Sequence, residues 1–369
     1  MKLPEDQDIF FMQQALELAK QGAFSARPNP QVGCILVKNG QVIAKGLHWQ
    51  CGGPHAEVNA LSQTTDAQGA TCYVTLEPCS HVGRTGPCVD ALIQAKVARV
   101  VIAGIDPNPQ VQGKSIKALV NAGIDVKVGV LEQAAFTLNQ GFFSRMQRGI
   151  PYVRAKVGMS LDGKVAMQNG ESQWITSQAS REQVQRWRAK SGAILTGSET
   201  VLKDNCRLTV RNPEKLGLTH EIEFKQPLRV VVDSKLKVSK DKAIFSEPSE
   251  TIVATLGNSL TGNTASNGVG FPEKNGYVDL KALLEYLADR EINDVLVEAG
   301  PTLVGAMLEQ GLIDELLIYI APKLLGNDAK PLATLKGITQ LSEHIGGQFT
   351  QLEKVGDDLF VILKLNKEF

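Results

Sequence analysis

No charge of one sign prevails in this chain of 369 residues: Lys plus Arg and Asp plus Glu each number 39. The balance denies it a broad basic field. That argues against a dedicated polyanion binder and leaves individual Arg or Lys residues to meet any phosphate. Long apolar runs are missing as well. None approaches the roughly eighteen residues of a membrane span, and the start, MKLPEDQDIF, lacks the basic-then-apolar layout of a secretory signal. The expectation is a cytoplasmic protein acting on small molecules, with neither nucleic acid nor membrane as partner. Also absent is a G-x-G-x-x-G after a first strand, so a Rossmann dinucleotide site is excluded.

What is present suffices for ordinary cores, at 43% apolar and 21% charged residues. The length suggests two or three domains at roughly 150 residues each. Cytosolic thiols stay reduced, so the six cysteines are read as buried, metal-binding or reactive. Five of them, Cys34, Cys51, Cys72, Cys79 and Cys88, lie in the N-terminal part with His48, His55 and His81. Metal chemistry is therefore expected there. Cys206, His220 and His344 are scattered and read as surface or filler residues.

Apolar residues at helical spacing predict an opening helix through Ile9, Met12, Leu16 and Ala19. The runs 32–38 and 41–47 flank Asn39-Gly40 and predict a hairpin. Helices are expected over 55–62, 88–96 and 114–122, strands over 71–77, 99–105 and 124–130, and one closing helix over 131–148. This alternation predicts an α/β layer structure with a mostly parallel sheet and a domain boundary near 148. From 149 to 369 the pattern restarts. Strands are expected at 193–197, 229–233, 251–255, 294–300, 314–322 and 359–365, with helices within 174–190, 279–290 and 301–310. The stretches 206–227 and 257–268 read as loops.

The chemistry-bearing stretch is His55-Ala56-Glu57, then Glu77-Pro78-Cys79, then Pro87-Cys88. One imidazole and two thiols suit a zinc ion with a fourth position open to water, hence one zinc per chain. Glu57 stands two residues from the imidazole and serves as general acid/base in the H-x-E, P-C-x-x-C pattern of zinc nucleobase deaminases. Here eight residues, not two, separate the cysteines. A closed structural zinc site or a set of buried cysteines is the plainer alternative. Cys34 and Cys72, alternating within strands, are read as buried.

HAEVNAL, TLEPCSHVGRTGPC, PNPQVGC and IDPNPQVQGKS, with SLDGK, GESQWIT, VLKDNCRLTVR and VEAGPTLVGAML, resemble the bifunctional deaminase/reductases of bacterial riboflavin biosynthesis over nearly the whole chain. The resemblance implies a cytidine-deaminase-like three-layer α/β domain over 1–148 and a dihydrofolate-reductase-like α/β domain over 149–369. The first would remove the 2-amino group of a diaminopyrimidinone carrying a ribosylamino 5-phosphate, and the second would reduce the ribosyl to ribityl with NADPH. By position, His55, Cys79 and Cys88 would bind zinc and Glu57 would move the proton. Asn29, His48, His81, Arg84 and Asn108 would meet the substrate, although Asn29 also suits a plain turn and His48 a strand-end surface histidine.

The resemblance assigns the cofactor to Gly158, Trp174, Thr200, Asp204, Ser234 and the stretch Gly300, Pro301, Thr302, Leu303, Val304, Gly305 and Ala306. The last group places a helix N-terminus after a strand, where backbone amides can meet a pyrophosphate. Ser172, Arg188, Leu208, Arg211 and Glu298 would line the second substrate site. Trp174 alone would read as a core aromatic and Arg188 as a solvated helix residue. Asp204-Asn205-Cys206 departs from the family's usual Asp-Asp-Pro, which puts that turn in question. Ser234-Lys235 ends the strand RVVVD, where a hydroxyl and an ammonium suit the NADPH 2′-phosphate, and where a surface turn is the plain alternative. A homo-oligomer is expected.

Overall fold

The computed structural model describes residues 5–80, 86–109, 111–217, 224–247, 249–257 and 267–366. The chain divides into two compact units, one of residues 1–149 with 218–225 and one of 150–217 with 226–369. Within the first, Arg27 donates to the Lys225 carbonyl at 2.7 Å.

The first unit opens with α1 (Glu5–Ala19), followed by β1 (Gly33–Lys38) and β2 (Gln41–Leu47). Asn39 and Gly40 both take positive φ (53° and 76°), as a two-residue primed turn requires. Next come α2 (Ala56–Leu61), β3 (Thr71–Leu76), α3 (Cys88–Gln94), β4 (Arg99–Gly104), α4 (Lys114–Asn121) and β5 (Asp125–Val128). α5 (Glu132–Leu138) and α6 (Gln140–Arg148) complete it. The sheet runs β2-β1-β3-β4-β5. β1 pairs antiparallel with β2 and β3, while β3, β4 and β5 are parallel. The sheet is thus mixed rather than mostly parallel, because a two-residue turn can only reverse the chain.

Alternation along the strands builds a core on each face. Ile35, Val37, Tyr73 and Val101 pack with Phe11, Met12, Ala15 and Leu16 of α1. On the other face Cys34, Leu36, Cys72, Val74 and Ile102 pack with Ala56, Ala60, Val89, Leu92 and Leu119 of α2, α3 and α4. Gly46 lets α2 lie on the sheet, since a Cβ there would fall 2.1 Å from the Ala56 carbonyl oxygen. The expected closing helix is broken at Asn139, whose side chain accepts from the Gln31 N–H at 2.8 Å and donates to the Gln31 carbonyl at 2.9 Å.

The second unit contains β6 (Tyr152–Ser160), β7 (Lys164–Ala166), α7 (Gln178–Lys190), β8 (Ala193–Gly197), α8 (Ser198–Asp204), β9 (Leu228–Val232), β10 (Thr251–Leu256) and β11 (Gly268–Phe271). A short hairpin of β12 (Glu273–Lys274) and β13 (Tyr277–Val278) precedes α9 (Leu280–Asp289), β14 (Asp294–Val297), α10 (Pro301–Glu309), β15 (Glu315–Ala321), β16 (Lys330–Pro331), β17 (Gly347–Val355) and β18 (Asp358–Leu365). Its main sheet has the order β11-β10-β9-β8-β14-β6-β15-β18-β17. Pairings from β11 to β15 are parallel, and β18 and β17 are added antiparallel.

Val153, Ala155, Leu195, Val230 and Val297 face α9 and α10 through Leu283, Leu287, Val304 and Met307. The opposite face packs Leu296, Leu317 and Phe360 on Val184 of α7, and Ile194 and Val231 on Val201 and Leu208. α7 starts at Gln178, where the Ser177 side chain accepts from the Ser180 N–H, later than the first residue of the expected stretch.

Candidate active site

In the first unit the chemistry gathers where α2 and α3 begin and β3 ends. His55 is the N-cap of α2 and Cys88 the first residue of α3, while Cys79 lies three residues beyond β3. Their ligand atoms all lie within 4.8 Å of one another. His55 Nδ1 is 3.5 Å from Cys79 Sγ and 3.3 Å from Cys88 Sγ. Ligands held 2.0–2.3 Å from a tetrahedral zinc are separated by about 3.3–3.8 Å, so this donor set fits zinc.

The ionisation pattern points the same way. The hydrogen bond between the two thiols, outweighing burial at Cys79, brings the Cys79 thiol down, while the same bond and burial push Cys88 up. Two adjacent thiols cannot both ionise cheaply in this pocket unless a cation joins them. Glu57, in the first turn of α2 and 3% exposed, is pushed by burial up to about 7.

Asn29 and His48 join this group. Asn29 Nδ2 donates to His48 Nε2 at 3.0 Å, and His48 Nδ1 lies 3.0 Å from the Pro54 carbonyl. A carbonyl only accepts, so the proton sits on Nδ1. The His48 ring meets His55 edge to face at 5.1 Å and is 2% exposed, which overturns the surface-histidine reading. Burial also pushes its pKa down, keeping it neutral. Asn108 lies in the loop after β4, its N–H bound to Asp106 Oδ1 at 2.8 Å. His81 and Arg84 lie outside the described residues. Cys34 and Cys72 are buried side by side, with Sγ atoms 3.4 Å apart.

In the second unit the expected residues collect at the carboxyl ends of adjacent parallel strands, where open α/β sheets bind ligands. Gly158 is on β6, Thr200 and Asp204 are on α8 directly after β8, Ser234 follows β9, and Glu298 and Gly300 follow β14. Arg188 of α7 grips Glu298 through Nε–Oε1 at 2.6 Å and Nη2–Oε2 at 2.9 Å, and donates to the Thr209 carbonyl at 2.9 Å. It is a buried ion-pair member and not a solvated helix residue. Burial pushes Glu298 up, but the Arg188 charge and hydrogen bonds, with Lys156, bring it below its ordinary value. Trp174 is 60% exposed under the Arg181 guanidinium, 4.4 Å from its ring centroid, so it is no core aromatic. Ser172 and Arg211 flank the same region, with Ser172 turning the chain into Ile175 and Arg211 adding positive charge toward Glu298.

Two of the expected cofactor positions also have duties inside the fold. Ser234 is 8% exposed and its Oγ accepts from the Val278 N–H at 3.0 Å, so it is partly engaged inside the fold. Within 300–306, Val304 is fully buried with its N–H on the Gly300 carbonyl, and Gly305 backs onto Thr334 so closely that a Cβ would fall 2.1 Å from the Thr334 carbonyl oxygen. Ala306 packs on the core. Pro301 has no N–H, which leaves the amides of Thr302 and Leu303 as the open donors of the first turn. The Asp204-Asn205-Cys206 turn resolves simply: Asn205 takes φ 46° as the α8 C-cap, a left-handed position that Asn tolerates. Leu208 then takes φ 52° and is buried.

Sequence reasoning missed Lys156, whereas Cys206 is the filler residue it was read as. Lys156 Nζ is 3.5 Å from where a Gly158 Cβ would stand, and burial pushes its pKa down. The signal was a lysine two residues from Arg154 in an otherwise apolar strand. Cys206 packs with Leu208 and Val201, and burial pushes its thiol up to about 12.

A metal-activated hydrolytic deaminase in one unit and a nicotinamide-dependent reductase of dihydrofolate-reductase type in the other define a bifunctional enzyme. Residues 5–104 match the cytidine and deoxycytidylate deaminase zinc-binding region, and residues 151–361 match the RibD C-terminal domain. The riboflavin biosynthesis protein RibD of Escherichia coli (strain K12) is 48% identical over 359 residues, covering 96% of this chain and 98% of that protein. The Aquifex aeolicus RibD is 40% identical, covering 97% and 98%. Among solved structures, form 1 of Acinetobacter baumannii RibD gives a TM-score of 0.89 at 43% identity, covering 99% of this chain and all of that one. The Thermotoga maritima diaminohydroxyphosphoribosylaminopyrimidine deaminase/5-amino-6-(5-phosphoribosylamino)uracil reductase gives 0.87 at 33% identity, covering 98% and 99%. The chain belongs to the RibD family, and its deaminase and reductase, with zinc and NADPH as cofactors, serve riboflavin biosynthesis.

Proposed function

We propose that residues 1–148 deaminate 2,5-diamino-6-(5-phosphoribosylamino)pyrimidin-4-one and that residues 149–369 reduce the ribosyl of the product to ribityl. The observation that carries the first step is the buried Glu57 carboxyl beside the His55, Cys79 and Cys88 cluster. Zinc bound there supplies the Lewis acidity that makes water a nucleophile near neutral pH. Glu57 would carry one proton from the attacking water to the ring nitrogen and then the second, from the added hydroxyl, to the amine, which leaves as ammonia as the carbonyl forms. Its pKa near 7 when buried suits both directions of transfer. His48, neutral and fixed on Nδ1 by Pro54, keeps Nε2 as an acceptor and so orients Asn29 toward the substrate.

In the second unit NADPH supplies the hydride. The amides of Thr302 and Leu303 at the α10 N-terminus would meet its pyrophosphate, with Thr200 Oγ1 3.9 Å from where a Gly300 Cβ would stand, and Gly158 and Asp204 would complete the cofactor site. Arg211 would bring positive charge to a phosphorylated substrate, and Arg188, its charge balanced by Glu298, would hold that carboxylate in place beside it. Among the described residues no helix is long and apolar enough to cross a membrane, and all six cysteines are free. The free cysteines support a cytoplasmic enzyme, since cytosolic thiols stay reduced. Exposed apolar side chains on the β17 edge, Phe349 at 71% and Leu352 at 67%, support a homo-oligomer. The test is to incubate the protein with the diaminopyrimidinone ribotide and follow ammonia and NADPH separately. Ammonia should appear without NADPH, and NADPH should be consumed only once ammonia has been released. Absence of ammonia from zinc-loaded protein overturns the deaminase assignment.

A further inference from the structure

Glu77 is buried at 3% exposure, has no place in the proton transfers above, and is bound to three groups of one loop and the helix turn that follows it. Its Oε1 accepts from the Ser115 hydroxyl at 2.6 Å, and its Oε2 accepts from the Gly113 N–H at 3.1 Å and the Asp106 N–H at 3.4 Å. Asp106 opens the loop between β4 and α4, Gly113 is the N-cap that ends it, and Ser115 lies in the first turn of α4. Inside that loop Asp106 Oδ1 accepts from the Asn108 N–H at 2.8 Å, and the Asn108 carbonyl accepts from the Val111 and Gln112 N–H groups at 2.8 and 2.9 Å. Asp106 and Gly113, which stand on either side of Asn108 in the chain, are thus held by one carboxylate.

The other end of the same short segment is Cys79. Pro78 fixes the backbone between them, and the Cys79 carbonyl accepts from the Val89 N–H at 3.2 Å at the start of α3. We infer that Glu77 is a positioning residue for the deaminase: it ties the loop that carries Asn108 to the segment that carries Cys79, so that Asn108 is in place to bind the substrate. This rests on the deaminase reading above. Glu77 acts through accepted hydrogen bonds and not through its charge. A glutamine can reproduce all three by accepting both N–H groups on its oxygen and donating to Ser115 Oγ.

The experiment compares Glu77→Met, Glu77→Gln and Ser115→Ala in the full zinc-loaded chain. In Glu77→Met the deaminase KM should rise at least about tenfold, the scale of several lost hydrogen bonds, with kcat within about threefold of wild type, as for lost uniform binding. Ser115→Ala should shift KM the same way by less, and Glu77→Gln should restore most of the loss. Zinc content under chelator challenge should be unchanged, while amide exchange over 106–113 should quicken in Glu77→Met. Zinc loss in Glu77→Met, with Ser115→Ala leaving KM unchanged, would make Glu77 part of the metal scaffold and overturn the inference. A Glu77→Gln as impaired as Glu77→Met would overturn it too, by showing that charge is what matters. A wild-type chain that releases no ammonia defeats the deaminase reading itself, a separate outcome.

Discussion

Arg188 and Glu298 form a two-pronged ion pair at 2.6 and 2.9 Å, with side chains only 13% and 12% exposed. Removing one partner of such a pair strands the other charge away from water. Arg188→Met should therefore destabilise the chain by about 3–5 kcal/mol in denaturant unfolding. The sign with pH follows from Glu298. Its folded pKa lies below the ordinary 4.5, so the pair's contribution is complete above that pH and is lost as pH falls through the folded value. The gap between wild type and Arg188→Met should narrow below pH 4.5, and a gap constant down to pH 3 would count against the pairing.

The metal ligands and the proton carrier should separate cleanly. Cys79→Ser and Cys88→Ser should each lose zinc and deaminase activity, because each removes one of the three ligand atoms held within 4.8 Å. Glu57→Gln should keep one zinc per chain while deamination falls by about 10²–10⁴-fold or more. Metal analysis on the three variants decides the matter: full zinc in both serine variants would sink the ligand assignment, and a near wild-type rate for Glu57→Gln would make that residue structural.

The two activities should be independent in one chain, since each constellation lies inside its own unit. Supplied with the deaminated ribotide, Glu57→Gln should oxidise NADPH at the wild-type rate. A matching loss of reductase activity would mean that the two sites depend on each other.

Much of this was legible in the sequence where local rules govern. Asn39-Gly40 marked its turn because few other residues take two successive positive φ values, and His55 and Cys88 marked helix starts. The features that escaped are set by distant partners. Asn139 breaks a helix because Gln31, far off in the chain, offers a better match for its side chain. The edge strand β17 shows little apolar alternation because both its faces are largely exposed. Lys156 drew no notice because its half-buried place near Gly158 and Glu298 is set by the fold and not by its neighbours in sequence.

Ser234 and Lys235 carry the last prediction, and the fold changes which of them tests it. Ser234 Oγ already accepts the Val278 N–H, so Ser234→Ala would leave a buried donor unpaired and cost about 1–3 kcal/mol of stability whatever the cofactor. Lys235, by contrast, is exposed and free of such a duty in the fold. A charge-assisted contact to the 2′-phosphate contributes about 1.5–3 kcal/mol, so Lys235→Ala should raise the KM for NADPH about tenfold or more and leave that for NADH nearly unchanged. Steady-state kinetics with both cofactors provides the comparison. Equal changes for the two would show that the 2′-phosphate is recognised elsewhere, and that Ser234-Lys235 serves only to turn the chain after β9.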